Sequence, residues 1–477
     1  MRLKKSFKIL TVTLAVIALF SCASVMPYSA SASEQKMTEA LLRNDIAGVK
    51  ALLAQGASPD SRMPSGGAPV LSIPLQNNNL AMAKLLVDAG AQVNAKDRYD
   101  MPLLHLAKRA PMMRLLLEHG ADKYAVYKNA TAYEFFATRL VTTEADRKKF
   151  VEQLKAAKLT RSQYDAAVEH AEKSAWLTKQ DIIDVVRTYK AFNYDVNRSF
   201  GENRQGVLHA AAFAENYELL TALIEETPAD VNIRDKGDVS LLNIITQSDM
   251  TRRTAAQYEA LVSLLVKKGV RIDAICGSVM DEQVTALMIA AHKKFNSRVA
   301  TLIKLGANPN IMNENKKSAL NFAKDLSSVK SLLDKGADAL NKDKWGQTTI
   351  FYQTDPAVIS LLLARGVDIN AQDNEGHTAL FSVREPKVVE FLVSKKININ
   401  HRNKKNQSTM EADVAFILSA MRYDNDYQDH FIPKFKTLIR LGIDKSCVTG
   451  AYRMADAAKT GYDVRKVLAC LKPHAGL

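Results

Sequence analysis

The sequence predicts an all-α repeat solenoid of stacked helix pairs, and three observations predict it. A short element, Gly-Ala/Val-x-x-Asn/Asp, returns along the chain. From Gly306 through Gly336 and Gly366 to Lys396 its spacing is 30 residues, three times running. An amphipathic run precedes each copy, and a second apolar run opening on Thr or Ser follows about twelve residues later.

The element recurs at Gly56, Gly90, Gly120, Gly269, Gly306, Gly336, Gly366, Lys396 and Gly442. Ahead of it lie runs such as Ala83-Lys84-Leu85-Leu86-Val87 and Val358-Ile359-Ser360-Leu361-Leu362. Their apolar residues, three and four apart, make one buried helical stripe. The glycine ends that helix, because the residue past the cap takes a left-handed backbone that glycine adopts without steric cost. The following run begins at Thr285, Ser318, Thr348 or Thr378, whose hydroxyl is expected to accept a bond from a backbone N–H of the first turn. Between the two lie turn residues, as in Asn370-Ala371-Gln372-Asp373-Asn374-Glu375-Gly376.

A chain of 477 residues would ordinarily hold two to four domains. A stack of repeats instead buries one continuous core, so a single elongated body of about eleven to thirteen helix pairs is expected. The 47% hydrophobic and 24% charged fractions supply an ordinary core. Gly 20 and Pro 13 are too few for collagen-like or Pro/Gly-rich disordered classes, and four cysteines exclude a disulfide scaffold.

The N-terminus reads as an export signal. Arg2, Lys4, Lys5 and Lys8 precede an apolar run from Ile9 to Phe20, shorter than a membrane-spanning helix needs. Leu19-Phe20-Ser21-Cys22-Ala23 resembles a bacterial lipobox, which implies lipidation of Cys22; Phe20 departs from the pattern, and ordinary cleavage after Ala23 or Ala32 is the rival. Removing residues 1–21 lowers the formal charge from +14 to about +10. Outside the cytoplasm, such a basic surface favours an acidic protein or an anionic membrane over nucleic acid, against the plainer reading of a solvated basic surface.

Two antiparallel helices and an outward turn, repeated every 30–34 residues, resemble the ankyrin repeat. Val93-Asn94-Ala95-Lys96-Asp97, Pro102 to Ala107 and Ile369 to Leu380 lie closest to its pattern. The expected organisation is a signal segment (1–21), a tether (22–35), N-terminal repeats (36–122), one or two degenerate helical repeats (123–192), further repeats (193–409), and a last repeat with an insertion and a C-terminal cap (410–477). An inserted domain is the rival reading of 123–192. From Ser318 to Gly336 only 18 residues separate cap from glycine, so nearly one helical turn is missing there. Cys447 and Cys470 share the terminal repeat and form a candidate disulfide, with two buried thiols as the alternative. Cys276 has no evident partner.

No catalytic constellation is legible, and neither an enzyme nor a cofactor is expected. His105 and His209 hold the position where the resemblance implies a structural histidine bonding the neighbouring turn. His292, His377, His401 and His430 lack the spacing of a metal site. The resemblance implies instead that turn tips and short first helices line a concave binding face. Its contact positions map onto tip pairs Arg98/Tyr99, Lys236/Gly237, Lys344/Trp345, Asn374/Glu375 and Lys404/Lys405. They also map onto helix-end pairs Lys108/Arg109, Phe213/Ala214 and His292/Lys293. Exposed Tyr99 and Trp345 are candidate anchors, and the surrounding basic residues favour an acidic partner. The expected function is a periplasmic protein-binding scaffold, tethered to the outer membrane only by lipid and monomeric without its partner. It would be an accessory factor for an enzyme or an immunity protein against a secreted toxin. The alternative is a secreted, host-directed effector.

Overall fold

Each helix pair closes on the same chain reversal, and Gly336 shows why. Its N–H donates to the Leu333 carbonyl (3.0 Å), and the Ala337 N–H reaches back to Leu332 O (3.0 Å). These two bonds satisfy the last carbonyls of helix Leu326–Asp334 and require a left-handed residue between them. Gly336 has φ +82°, and the other glycines of the element lie between +84° and +98°. A Cβ on Gly336 would meet nothing within 4 Å, so the demand for glycine comes from the backbone alone. Lys396 occupies the same conformation at φ +67° and carries its strain.

The computed structural model describes residues 30–64, 67–138, 144–156, 161, 165, 167–168, 177–199, 202–248, 254–279, 282–420, 430–457 and 465–476. The signal segment and Cys22 lie outside them. The fold is an all-α repeat solenoid, and its described residues form two compact units. One runs to 253 and includes Lys267–Val270; the other comprises Thr254–Val266 and Arg271 onward.

The first unit stacks five pairs: Ala32–Leu42 with Ile46–Ala54, Ser72–Gln76 with Leu80–Asp88, the 3₁₀ turn Leu103–Leu106 with Ala110–Glu118, Ala132–Ala137 with Lys179–Ala191, and Val207–Phe213 with Tyr217–Glu226. Helix Leu241–Gln247 follows. Among the described residues, 123–192 supply one helix pair of the stack. Its first helix, Ala132–Ala137, packs between Leu103–Leu106 and Val207–Phe213, and its second, Lys179–Ala191, packs between Ala110–Glu118 and Tyr217–Glu226. The extra chain, including helix Glu144–Ala156, is inserted between the two. Tyr133 and Tyr189 join them, buried and stacked with ring centres 4.0 Å apart. A two-stranded hairpin, Val126–Tyr127 with Ala130–Thr131, forms the turn before the first helix.

The second unit holds helix Ala255–Lys267 as far as Val266 and then six pairs. Ala286–His292 packs on Asn296–Lys304 and Ala319–Phe322 on Leu326–Asp334; Thr349–Tyr352 packs on Pro356–Ala364. Ala379–Ser382 precedes Pro386–Ser394, Thr409–Ala420 precedes Ile432–Arg440, and Lys445–Asp456 packs on Arg465–Ala475. The missing turn falls in the first helices: Ala319–Phe322, Thr349–Tyr352 and Ala379–Ser382 have four residues where Ala286–His292 has seven. The second helices keep nine, so the packed layer continues unbroken.

Shortening the first helix also changes its cap. Thr285 accepts from a backbone N–H three residues on, as expected, and Thr131 and Ser240 do likewise, whereas the Ser318 hydroxyl donates to Asn321 Oδ1 (3.2 Å) instead. Thr348 and Thr378 do not: their helices are single turns, and their buried hydroxyls have no partner among the described residues. The candidate disulfide is not formed. Cys447 is a buried thiol facing the Arg402 guanidinium (3.9 Å), and Cys470 is a half-buried thiol whose pKa burial raises. Cys276 is a buried free thiol as well.

In the inserted repeat near the C-terminus, Lys434 and Asp413 form a buried ion pair at 2.8 Å, and burial pushes the Asp413 carboxyl up despite its lysine. Lys434→Met would strand that carboxyl and lower stability by about 3 kcal/mol in urea denaturation, whereas adding Asp413→Leu recovers most of the loss. For the helix reversals, Gly336→Ala is expected to lower stability by about 1 kcal/mol and Lys396→Gly to raise it by a similar amount. Equal and opposite shifts in the urea midpoint at unchanged slope are the check.

Candidate partner-binding face of turn tips and first helices

Every turn in the regular repeats is built around one side-chain oxygen. Asp343 Oδ1 accepts from the N–H groups of Trp345 and Gln347, both at 2.9 Å. Asp373 does the same for Glu375 and His377, and Asn403 for Lys405 and Gln407. Asn313, Asp97 and Asp235 repeat the arrangement. One short acceptor thus folds five residues into a closed turn whose tip side chains point outward.

Adjacent tips then bond to one another. Within the second unit Lys344 N–H donates to Asn315 O (2.9 Å), Asn374 N–H to Trp345 O (2.8 Å) and Lys404 N–H to Glu375 O (3.0 Å). Gly346 makes this approach possible, since a Cβ there would sit 2.4 Å from the Asn374 side chain. In the first unit Lys236 N–H donates to Asn203 O (2.9 Å). The tips are therefore a hydrogen-bonded edge and not a row of independent loops.

On that edge Trp345 keeps 45% of its surface exposed, and Lys344, Asn374, Glu375, Lys404 and Lys405 are exposed beside it. Lys317 Nζ lies 5.1 Å from the Trp345 ring centre and 5.3 Å from that of Tyr352, and it pairs with Glu282 Oε1 at 2.8 Å. Burial raises the Glu282 pKa, but bonds from Lys317 and Asn313 outweigh it and hold the carboxyl below its usual range. Trp345 is thus propped from behind with one side left to solvent. Lys405 makes only a loose, exposed pair with Glu375 (4.0 Å), worth little.

The first-helix ends add His292 and Lys293, both exposed, next to half-buried Lys324. Burial, then the charges of Lys324 and Lys293, lower the His292 pKa; burial, Lys317 and Lys294 lower that of Lys324. The second helices differ: Lys304–Glu259 (2.5 Å), Arg365–Asp334 (2.6 Å) and Arg440–Glu390 pair across repeats. Among the described residues Lys293, Lys344 and Lys404 have no carboxylate within 4.0 Å. These three second-helix cations are therefore paired across repeats, whereas Lys293, Lys344 and Lys404 are not.

In the first unit Tyr99 is 59% exposed with the Arg98 guanidinium 4.7 Å from its ring centre, and Phe213 is 51% exposed. The Lys236 side chain is exposed; Lys108 is half-buried. Arg109 departs from its expected role. It pairs with Asp181 at the start of helix Lys179–Ala191, largely buried, and so belongs to the packing of the inserted repeat. His105 bonds the neighbouring turn as expected, at Ala130 O (3.1 Å). His209 instead accepts from the Gly206 N–H (3.4 Å) of its own helix start, where glycine offers no capping side chain.

The sequence reading missed a cleft of about 280 Å³ between the Ala130 hairpin and the next repeat's turn. Glu134, 5% exposed, lines it together with Asn129, Phe135, Glu202, Asn203 and Gln205. Its only signal was the capping box Thr131-x-x-Glu134, in which Glu134 Oε2 accepts from the Thr131 N–H (2.7 Å). Burial raises the Glu134 pKa to about 7 against the bonds from Thr131. Among the described residues no group of three His, Cys, Asp or Glu side chains is placed to hold a metal ion, and no helix is long and apolar enough to cross a membrane.

Residues 317–403 match a family model of three ankyrin repeats, and 205–236 and 282–314 each match the single ankyrin repeat. No curated protein matches the sequence. Among solved structures, the ankyrin repeat domain of Bcl-3 is similar at 20% identity, covering 55% of this chain and 97% of that one with a TM-score of 0.38. Ankyrin repeats of this kind are interaction modules, and the turn anchors Asp97, Asp235, Asn313, Asp343, Asp373 and Asn403 recur both inside and outside the matched segments.

A carboxyl with a raised pKa binds its proton more tightly in the folded state, so its stabilising contribution is complete below the unfolded value near 4.5 and is lost as pH rises through about 7. Glu134→Gln removes that loss. Relative to wild type, its melting temperature is expected to be several degrees more favourable at pH 8 than at pH 5. Parallel pH profiles for the two proteins would show Glu134 ionised throughout.

Proposed function

We propose that this protein is a non-enzymatic protein-binding scaffold of the bacterial cell envelope. It is exported by the segment 1–21, held to the outer membrane through a lipid on Cys22, and monomeric until it meets its partner. Its partner is an acidic protein, which docks on the tips and first helices of the second unit. The observation that carries this reading is the hydrogen-bonded tip edge, which holds half-exposed Trp345 and uncompensated Lys344 and Lys404 in fixed positions. An edge already ordered loses little entropy on binding, and aromatic anchors rimmed by charge are where binding energy concentrates. The basic rim raises the association rate for an acidic surface. On this reading the protein serves as an accessory factor for a periplasmic enzyme or as an immunity protein against a secreted toxin.

The partner is identified by cross-linked capture from envelope extract and then purified for titration. Trp345→Ala is expected to weaken the complex at least tenfold, mainly through faster dissociation. Lys344→Glu with Lys404→Glu is expected to slow association and flatten its dependence on salt. Unchanged binding by both variants contradicts the assignment of this face. Loss of envelope association on Cys22→Ser, with fractions followed by immunoblot, tests the anchor separately.

A further inference from the structure

The geometry points to Lys317 as the positioning residue of the partner site, the group that fixes the Trp345 ring in the orientation a partner meets. Its counterparts in other repeats behave differently. In three of them the residue just before the first-helix cap reaches forward to the anchor of the next turn. Gln205 Nε2 donates to Asp235 Oδ2 (3.3 Å), Gln347 Nε2 donates to Asp373 Oδ2 (3.1 Å), and His377 Nε2 bonds Asn403 Nδ2 (3.0 Å). Lys317 holds the same place before Ser318, and Asp343 is the anchor it would reach. It turns back instead. Its Nζ pairs with Glu282 Oε1 of the preceding repeat (2.8 Å), and the Asp343 oxygen so left is taken by the Tyr352 hydroxyl.

That reversal puts the ammonium among three aromatic rings. Nζ lies 5.1 Å from the ring centre of Trp345, 5.3 Å from that of Tyr352 and 5.9 Å from that of Phe322. A cation this close to a ring is drawn to its negative face, more strongly when it is withdrawn from water, and the Lys317 side chain is largely buried. Of the three rings Trp345 alone is exposed, so packing does not enclose it. Asp343 fixes only its backbone, through the Trp345 N–H. The ammonium holds the indole. The base of this post is tied down as well, because Glu282 Oε2 accepts from Asn313 Nδ2 (2.8 Å). Three consecutive repeats therefore meet at Lys317: Glu282 lies before it, Asn313 and Phe322 share its own repeat, and Trp345 and Tyr352 follow. A ring already held in one orientation spares a complex the cost of ordering it on contact. Because Glu282 neutralises the ammonium, the post adds no net charge to the rim of Lys344 and Lys404. It orients the anchor without attracting the partner.

The role in docking rests on the reading of Trp345 as the partner's anchor; the seating of the ring does not, and the test keeps them apart. The chain has two tryptophans, so Trp176→Phe leaves Trp345 as the sole emitter. Time-resolved fluorescence anisotropy of that full chain, free in solution, is expected to show overall tumbling with a small fast component. Lys317→Met with Glu282→Gln removes both charges and keeps an oxygen for Asn313. It is expected to increase the amplitude of the sub-nanosecond decay about twofold. Lys317→Arg keeps the cation and its pair with Glu282 and should retain the original decay. With the captured partner, the double variant should bind about fivefold more weakly at unchanged salt dependence, since net charge is unaltered, and Lys317→Arg should bind as the parent does. A merely structural Lys317 would lower the urea midpoint and leave the decay as it was. A decay indifferent to the double variant overturns the proposal, as does a loosened ring with undiminished affinity where Trp345→Ala weakens binding. Capture that ignores Trp345→Ala refutes the anchor instead, and the seating of the ring is then decided by the decay alone.

Discussion

The structure depends on a side-chain clamp between neighbouring repeats. Asn310 reaches from one reversal to the next: its Oδ1 accepts the Asp338 N–H (2.8 Å), and its Nδ2 donates to Gly336 O (2.8 Å). Asn94 holds Asp122 and Gly120 in the same way, and Asn197 holds Asp230 and the Pro228 carbonyl. Single-bond forms recur where Asp60 accepts from Gln92, Asp273 from Asn308 and Asn370 from Asn398. A helix pair cannot bury its apolar stripe alone, so its stability lies in such nearest-neighbour terms. The clamp sets the register in which the second helices pack, and that register decides whether adjacent tips come within bonding distance.

The clamp also explains what the chain tolerates. Asn400 Oδ1 still accepts from the Asp444 N–H (2.8 Å) although 44 residues separate them, so the added chain after Met410 leaves the reversals in step. Helices Ala132–Ala137 and Lys179–Ala191 likewise keep their packing partners although some forty residues of sequence separate them. Losing a turn from the first helices is harmless for the same reason. Those helices carry the tips but do not carry the clamp.

How much was legible follows from which features are local. The reversal glycines, the amphipathic second helices and the shortened repeats could be read because each rests on a few adjacent residues: Gly366 with Val367, Val358 to Leu362, or the distance from Ser318 to Gly336. The exposed tips Tyr99 and Trp345 were legible as well, since the turn anchor two residues earlier directs them outward. What escaped was non-local. That Lys179–Ala191 is the second helix of a repeat begun at Ala132 depends on packing across more than forty residues. The Arg109–Asp181 pair and the Glu134 cleft arise only once that helix and hairpin are in place. Thr348 and Thr378 misled because a cap needs a helix long enough to cap.

The most direct test of the clamp is native-state hydrogen exchange on Asn310→Ala. If the clamp couples repeats, the amides of helices Leu326–Asp334 and Pro356–Ala364 lose protection together, by about 1–2 kcal/mol in opening free energy, although neither helix contains the altered residue. Protection lost at the Asp338 amide alone, with both helices unchanged, would contradict the account.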